Sequence, residues 1–245
     1  MGALPAPAVF RLPKHGSSRA EYEDAMAWSR LQRRFAVADG ASACAFARLW
    51  AQLLVHAYVA GELRAASIEE DMAPLQARWS ALVAQRDLPW YAVEQARRGA
   101  FAALVGLTLH ATGEWSALAI GDCCVFHLRD GALVSAHPLN DADAFDNRPL
   151  LLGSRPTANT QLRGAGAIVI AEGSWQPGDT FLLMSDALAA TFLRQYACSS
   201  AGEVLCFDRT AAGFRHWVNT LREARQLRND DVSLLWLALP TDAAA

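Results

Sequence analysis

The chain has 245 residues, of which 53% are hydrophobic, and a formal net charge of −3. That length and apolar content are sufficient to bury the core of one large domain. Basic residues occur together only as short doublets at 33–34 and 97–98, so the charge pattern predicts neither a nucleic-acid nor an anionic-membrane partner. Since no run of about 18 apolar residues occurs, no membrane-spanning segment is expected.

The five cysteines are interpreted as reduced and mostly buried thiols. They form no Cys-x-x-Cys pair, and the adjacent Cys123 and Cys124 would point to opposite faces of a strand, which is a poor geometry for chelating one metal. The N-terminal residues also lack the basic and apolar regions of a signal peptide. These features predict a cytoplasmic location.

The chain is predicted to begin with an extended segment over 1–13, where three prolines occur. A short apolar run at 35–38 has the length of a strand and ends at an aspartate. Ser42 is expected to cap the amphipathic helix that follows, and Gly61 is suited to its C-terminal stop.

Two further helices are predicted before residue 106. The sequence at 67–70 has the form of a capping box, and apolar residues then follow at helical spacing. Pro74 should kink this helix or split it after one turn. The next helix is predicted over 92–105.

The second half of the chain is predicted to contain strands first and helices afterwards. A long loop or small subdomain over about 140–166 interrupts the strands, and a loop of that length is expected to be functional. The runs at 167–171 and 180–185 are expected to pair antiparallel. Because strands and helices occur in separate blocks, we predict a single α+β domain over 1–245. The other predicted elements are strands at 107–111, 115–120, 125–129, 132–136 and 232–239, and helices at 187–197 and 209–226.

Acidic residues stand at the ends of several predicted strands. Asp39, Asp122 and Asp186 each follow an apolar run, and Asp230 precedes the last strand. Carboxylates at strand ends lie at the rim of a sheet, where several can converge on a divalent cation. Paired Mg²⁺ or Mn²⁺ ions suit attack of water on a phosphate and need no nucleophilic side chain. The chain also lacks Gly-x-Ser-x-Gly, His-Glu-x-x-His and Walker A sequences, so metal chemistry based on aspartates is favoured.

Seven motifs, in order between about residues 14 and 239, resemble those of the type 2C metal-dependent Ser/Thr protein phosphatases (PPM family), in particular the bacterial type. They are Arg19-Ala20-Glu21-Tyr22-Glu23-Asp24-Ala25, Ala38-Asp39-Gly40, Gly106-Leu107-Thr108-Leu109, Ile120-Gly121-Asp122-Cys123, Pro177-Gly178-Asp179, Ser185-Asp186-Ala187 and Asp230-Asp231-Val232-Ser233.

The resemblance implies a four-layer α-β-β-α sandwich with two, or as many as three, Mg²⁺ or Mn²⁺ ions at one end. Asp39 would bridge two ions, and the Gly40 carbonyl would bind one of them. Arg19 would bind the substrate phosphate, and the segment at 140–166 would form a flap beside the site. The other implied ligands are Asp186 and Asp230 in the first site, Glu23 and Asp24 through water in the second, and Asp122 in the third.

The implied activity is hydrolysis of phosphoserine or phosphothreonine on protein substrates, which a cognate Ser/Thr kinase would phosphorylate. Ala41 stands where many relatives have a histidine, and Ala187 replaces a glycine, which would cause strain if that residue needs a positive φ. These departures leave open an inactive phosphatase-like module that binds a phosphoprotein or another partner. A small-molecule phosphohydrolase is a third interpretation. Four remaining aspartates are interpreted as surface charges: Asp141, Asp143, Asp146 and Asp231.

Overall fold

The computed structural model describes residues 4–145, 149–164 and 166–241. In chain order its strands are β1 (Ala8–Leu12), β2 (Ala25–Ser29), β3 (Arg34–Gly40), β4 (Phe101–Leu109), β5 (Glu114–Ile120), β6 (Cys124–Arg129), β7 (Ala132–His137), β8 (Leu152–Gly153), β9 (Val169–Ser174), β10 (Thr180–Met184) and β11 (Val232–Ala238). The α-helices are α1 (Ala47–Ala60), α2 (Ile68–Ala84), α3 (Trp90–Arg98), α4 (Asp186–Tyr196), α5 (Ala201–Val204) and α6 (Ala211–Glu223). Short 3₁₀ helices lie at Ala65–Ser67, Ala142–Ala144 and Pro156–Arg163.

The strands form two antiparallel sheets. Sheet I has the order β1-β11-β10-β6-β7, and sheet II has the order β2-β3-β4-β5-β9, with β8 beside β4. Helix α1 packs on sheet II, whereas α4 and α6 pack on sheet I. The predicted α+β class and four-layer sandwich are therefore confirmed.

Three apolar clusters fill the three spaces between the four layers. Phe35 and Phe181 lie between the two sheets, Trp50 lies between sheet II and its helices, and Phe192 lies between sheet I and its helices. Because successive side chains of a strand point to opposite faces, each central strand contributes to two of these clusters. The central strands are consequently apolar at almost every position.

That uniform apolarity explains why the single helix predicted over 92–105 is wrong. Helix α3 ends at Arg98, Gly99 has a φ of +85°, and strand β4 begins at Phe101. A strand that is buried on both faces loses the alternating pattern, so a short apolar run fits a helix equally well. The predicted helix is therefore a helix, a two-residue connection and the first half of a strand.

The predicted pairing of 167–171 with 180–185 is also wrong. Strand β9 pairs with β5 in sheet II, whereas β10 lies between β6 and β11 in sheet I. The turn at 176–179 thus crosses from one sheet to the other. Two edge strands, β1 and β2, were not predicted, because neither shows a clear alternation of apolar and polar residues.

The capping residues predicted for helices α1 and α2 agree only in part with the structure. Gly61 ends α1 with a φ of +82°, as predicted, but α1 begins after Phe46, and Ser42 does not cap it. The Ser67 hydroxyl donates to the Asp71 carboxylate rather than capping α2. Pro74 lies inside α2, which continues unbroken because its apolar face is buried against α1 and sheet II.

The cysteines occupy more varied positions than predicted. Cys123 is buried between the sheets and Cys124 is buried beneath α4, on opposite faces as expected. Cys198 and Cys206 are exposed and Cys44 is partly buried, so the prediction of mostly buried thiols is wrong. All five are free thiols. Within the described ranges, no helix has the length and apolarity to cross a bilayer.

Candidate active site

The strand-end carboxylates meet at one end of the sandwich. In sheet II, Ala25 pairs with Ala38, which places the preceding Asp24 beside Asp39. In sheet I, Met184 pairs with both Cys124 and Leu234. The residues that flank these strands therefore lie at the same edge: Asp122 before β6, Asp186 after β10, and Asp230 before β11.

Four carboxylates line a single open pocket of about 350 Å³ there, namely those of Asp39, Asp122, Asp186 and Asp230. Asp122 and Asp186 are each 7% exposed. Gly40 also lines the pocket, and a Cβ at this residue would lie 2.7 Å from the Glu23 carbonyl oxygen. A glycine is therefore required for the close approach of the two backbones.

Burial and mutual repulsion raise the pKa values of Asp39 and Asp186. For Asp39 the largest cause is burial, followed by the charges of Asp24 and Asp186, and together they raise its pKa well above the usual range. Burial also raises the pKa of Asp186, although the adjacent Arg228 opposes the shift. The ionised forms of Asp39 and Asp186 are thus disfavoured, because water cannot fully solvate them there.

Arg228 supplies the compensating positive charge within the pocket. Its guanidinium donates to the carboxylate of Asp186 and, at 3.0 Å, to Oδ2 of Asp230. The Arg228 side chain remains 50% exposed. Sequence reasoning missed this residue; the only available signal was its position two residues before Asp230.

Asp24 lies just outside the pocket and is 3% exposed. One of its oxygens, Oδ2, accepts a hydrogen bond of 2.6 Å from the Ser233 hydroxyl, whereas Oδ1 is buried and has no partner among the described residues. Burial is the main cause that raises the pKa of Asp24 to about 8. Glu23, the adjacent acid, instead pairs with the Lys14 ammonium at 3.2 Å.

Asp231 is not the surface charge that the sequence predicted. It is 3% exposed, and its two oxygens accept from the backbone amides of Lys14 at 2.8 Å and Glu23 at 2.7 Å. Its partners are remote in sequence, so no local pattern could identify them. Asp141 and Asp143 are exposed as expected, whereas Asp146 lies outside the described residues.

Arg19 does not lie with the carboxylates. Its exposed side chain lines a different cavity, and its carbonyl oxygen accepts from Arg48 at 3.3 Å. The segment at 140–166 does approach the acidic pocket, where Pro149 and Leu151 form part of the wall. The backbone strain that the sequence suggested at Ala187 is absent, because this residue lies in the first turn of α4. Its amide donates to Asp186 Oδ1 at 2.5 Å.

The donor set suits a hard divalent cation in its chemistry. All the candidate ligands are oxygens, and the orphaned Asp24 oxygen would gain a partner from a hydrated ion. Across the described part of the chain, however, no three acidic, histidine or cysteine side chains are arranged as a ready metal-binding group. Arg228 instead bridges two of the carboxylates, those of Asp186 and Asp230.

The chain belongs to the protein phosphatase 2C family, whose family model matches residues 13–230. A phosphatase-class fold is therefore established for the region that contains the acidic pocket. Among curated proteins, no sequence matches significantly.

Solved structures show the same fold at low sequence identity. PppA, described as a key regulatory component of T6SS in Pseudomonas aeruginosa, has a TM-score of 0.54 and 21% identity over 97% of this chain and 100% of that chain. The Mycobacterium tuberculosis serine/threonine phosphatase PstP/Ppp has a TM-score of 0.57 and 20% identity over 98% and 100%. The catalytic domain of PstP in complex with 2 manganese ions has a TM-score of 0.55 and 19% identity over 97% and 99%.

Proposed function

We propose that this chain hydrolyses phosphoserine or phosphothreonine on protein substrates with the help of two or three Mg²⁺ or Mn²⁺ ions. The observation that carries the proposal is the convergence of four strand-end carboxylates in one open pocket. Membership of the protein phosphatase 2C family supports hydrolysis of a phosphate ester. Manganese in the similar PstP catalytic domain supports the choice of cation.

Residues of both sheets would share the binding of the ions. Asp39 and the Gly40 carbonyl from sheet II would act with Asp186 and Asp230 from sheet I, and Asp122 would contribute to a third position. The bound ions would supply positive charge to the phosphoryl oxygens and lower the pKa of the attacking water.

The surrounding residues would position water and substrate. Asp24 Oδ1 is free to accept a hydrogen bond from an ordered water. The Asp231 carboxylate accepts from the Glu23 amide and so holds the backbone at Glu23 in position. Within the described residues no imidazole lines the pocket, so water would protonate the departing serine or threonine oxygen in this proposal. Arg19 would have to leave its present cavity to contact the phosphate, whereas Arg228 already lies in the pocket.

Substitution of the central ligands tests this proposal. Asp39→Asn and Asp230→Asn should each reduce kcat for Mn²⁺-dependent hydrolysis of an aryl phosphate and a phosphopeptide by about 100-fold or more, because a bound metal contributes several kcal/mol to catalysis. Asp87→Asn, which removes an exposed carboxylate on the same chain, should have no effect. Undiminished hydrolysis by Asp39→Asn would contradict the proposed mechanism.

A phosphatase-like binding module is the second candidate function. It is favoured by the ion pairs of Arg228 with Asp186 and Asp230, through which one guanidinium offsets one unit of the pocket's negative charge without a metal. Titration calorimetry separates the two candidates. An active enzyme should bind at least two Mn²⁺ per chain, whereas a module that has replaced its metals by an arginine should bind fewer and release no phosphate from any phosphopeptide.

A further inference from the structure

A second cavity, of about 700 Å³, lies on the side of the sandwich where β1, α1 and α6 meet. We name it the arginine cavity after four of its lining residues, Arg11, Arg19, Arg48 and Arg215. None of these guanidinium groups forms an ion pair with a described residue. Four uncompensated cations in a chain of net charge −3 make this a local concentration of positive potential.

The remaining lining does not neutralise that charge. Asp24 is the one carboxylate among the described residues of the cavity wall, and it is buried and bonded to the Ser233 hydroxyl. Trp28, which is 40% exposed, offers an apolar surface beside the cations. The cavity is therefore suited to a ligand that carries separate anionic groups on a partly apolar backbone.

A groove connects the arginine cavity to the acidic pocket. Between them lies a depression of about 620 Å³, whose lining carries the cations Lys14, Arg48 and Arg86 and the carboxylates Glu21 and Glu23. Ser42 lines both this depression and the acidic pocket, and Arg48 lines both the depression and the arginine cavity. A ligand seated in the acidic pocket can consequently continue along the surface to the four arginines.

We infer that the arginine cavity binds acidic side chains of the protein substrate that lie further along the substrate chain than the phosphorylated serine or threonine. This inference rests on the proposed function. Arg48 and His56, which both line the cavity, are eight residues apart on α1, so the cavity extends about 12 Å at 1.5 Å per residue. Three or four residues of extended peptide span the length of the cavity itself.

Charge complementarity favours a peptide over other anionic partners. A nucleic acid carries charge at every unit and would be repelled by Glu21 and Glu23 in the intervening depression. A peptide can place acidic side chains beside the arginines and leave the rest of its length neutral. The concave shape of the cavity also disfavours a flat membrane surface.

Selectivity between two substrates tests the inference kinetically. Phosphoserine peptides are prepared with three glutamates, or three glutamines, on either side of the phosphoserine, and are assayed with the full chain and Mn²⁺. On one side of the phosphoserine, the glutamate peptide should have a kcat/KM about tenfold higher than that of the matching glutamine peptide with the wild type. Exposed ion pairs contribute a few-fold each. In the Arg11→Gln/Arg215→Gln variant that ratio should fall to about one. The control Arg78→Gln/Arg98→Gln, which removes two exposed arginines outside the groove, should keep it. An unchanged ratio in the cavity variant would overturn the inference.

A binding measurement separates this inference from the proposed catalysis. A fluorescent, unphosphorylated glutamate peptide needs no turnover, and its Kd by anisotropy should rise about tenfold in the cavity variant and not in the control. That result would stand even if no phosphate were ever released. Equal binding of the peptide by wild type and cavity variant, or tighter binding of an oligonucleotide of the same charge, would overturn the assignment. If the double variant fails to fold, Arg215→Gln alone, on the exposed face of α6, should show a smaller rise in Kd.

Discussion

At the residue scale, Arg228 and a divalent cation compete for the same carboxylates. The guanidinium donates to Asp186 and Asp230, which are both candidate ligands. A cation can bind to these two carboxylates only if the guanidinium moves away. Separation of the two ion pairs therefore weakens cation binding. The side chain is half exposed, and each such pair contributes roughly 1 kcal/mol or less.

Removing this arginine should therefore strengthen metal binding. We expect Arg228→Ala to lower the Kd for Mn²⁺ about fivefold or more, as measured by titration calorimetry in the absence of substrate. Arg78→Ala, an exposed arginine on α2, serves as the control and should leave the Kd unchanged. Weaker Mn²⁺ binding by Arg228→Ala would show that the guanidinium supports the site and does not compete for it.

Individual site residues differed in how far the sequence could predict them. Asp39, Asp122, Asp186 and Asp230 were predictable as a group, because residues that end or begin neighbouring antiparallel strands share a sheet edge. Asp231 was not, since its role depends on backbone amides that approach only in the folded chain. The proposed roles of these residues remain predictions for the experiments above.

At the element scale, the contact between α1 and β4 depends on one missing side chain. Gly106 of β4 lies beneath the ring of Tyr58, and a Cβ there would lie 2.3 Å from a ring carbon. The Tyr58 hydroxyl is within 3.0 Å of the Thr108 hydroxyl on the same strand. The helix can thus lie close to the sheet while its buried polar group retains a partner.

An added methyl group at this contact should destabilise the protein. Gly106→Ala is expected to lower the free energy of unfolding by about 2 kcal/mol, because the ring must move out of a closely packed position. Chemical denaturation measures the effect. Gly202→Ala in α5 is the matched control: its Cβ would meet no atom within 4 Å, so stability should be unchanged or slightly higher. A loss in Gly106→Ala no larger than in Gly202→Ala would contradict the packing argument.

At the scale of the whole molecule, Asp179 and Arg129 hold the two sheets together at the end opposite the acidic pocket. The Asp179 carboxylate is 1% exposed and accepts from Arg129 at 2.9 Å and from His127 at 2.8 Å. Arg129 also donates to the Ser174 carbonyl at 3.4 Å, which joins β6 of sheet I to β9 of sheet II. Burial alone would raise the pKa of Asp179, but these hydrogen bonds offset it and hold the pKa below the usual range.

The stabilisation by Asp179 should depend on pH. Since its pKa is lower in the folded chain than in the unfolded chain, the stabilising effect is complete above about pH 4 and is lost as the pH falls through the folded value. Asp179→Asn should cost about 3 kcal/mol at pH 7, because it leaves Arg129 without its buried partner. Urea unfolding should show the difference from wild type shrinking at pH 3. For the exposed Asp87→Asn, the difference should be small at both pH values. A loss of stability in Asp179→Asn that is equal at pH 7 and pH 3 would show that protonation of Asp179 does not cause the pH dependence.

The four-layer arrangement was predictable through the resemblance, whereas the sheet partners of individual strands were not. Short apolar runs located β5, β6 and β10, but sequence periodicity carries no information on which sheet a strand joins. The turn at 176–179 has the composition of a hairpin turn and nevertheless crosses between sheets. Pairing is decided by which apolar faces bury one another, and that is a property of the whole chain.

The pairing of β1 with β11 has a consequence for the order in which the protein folds. Ala8 lies opposite Trp236, and Lys14 and Glu23 are held by Asp231, so contacts between the two ends of the sequence complete sheet I. Such high contact order predicts slow folding. It also means that a growing polypeptide on the ribosome cannot assemble the acidic pocket until residues 230–236 have emerged. The capacity to act on a phosphate would therefore arise only after synthesis of this domain is nearly finished.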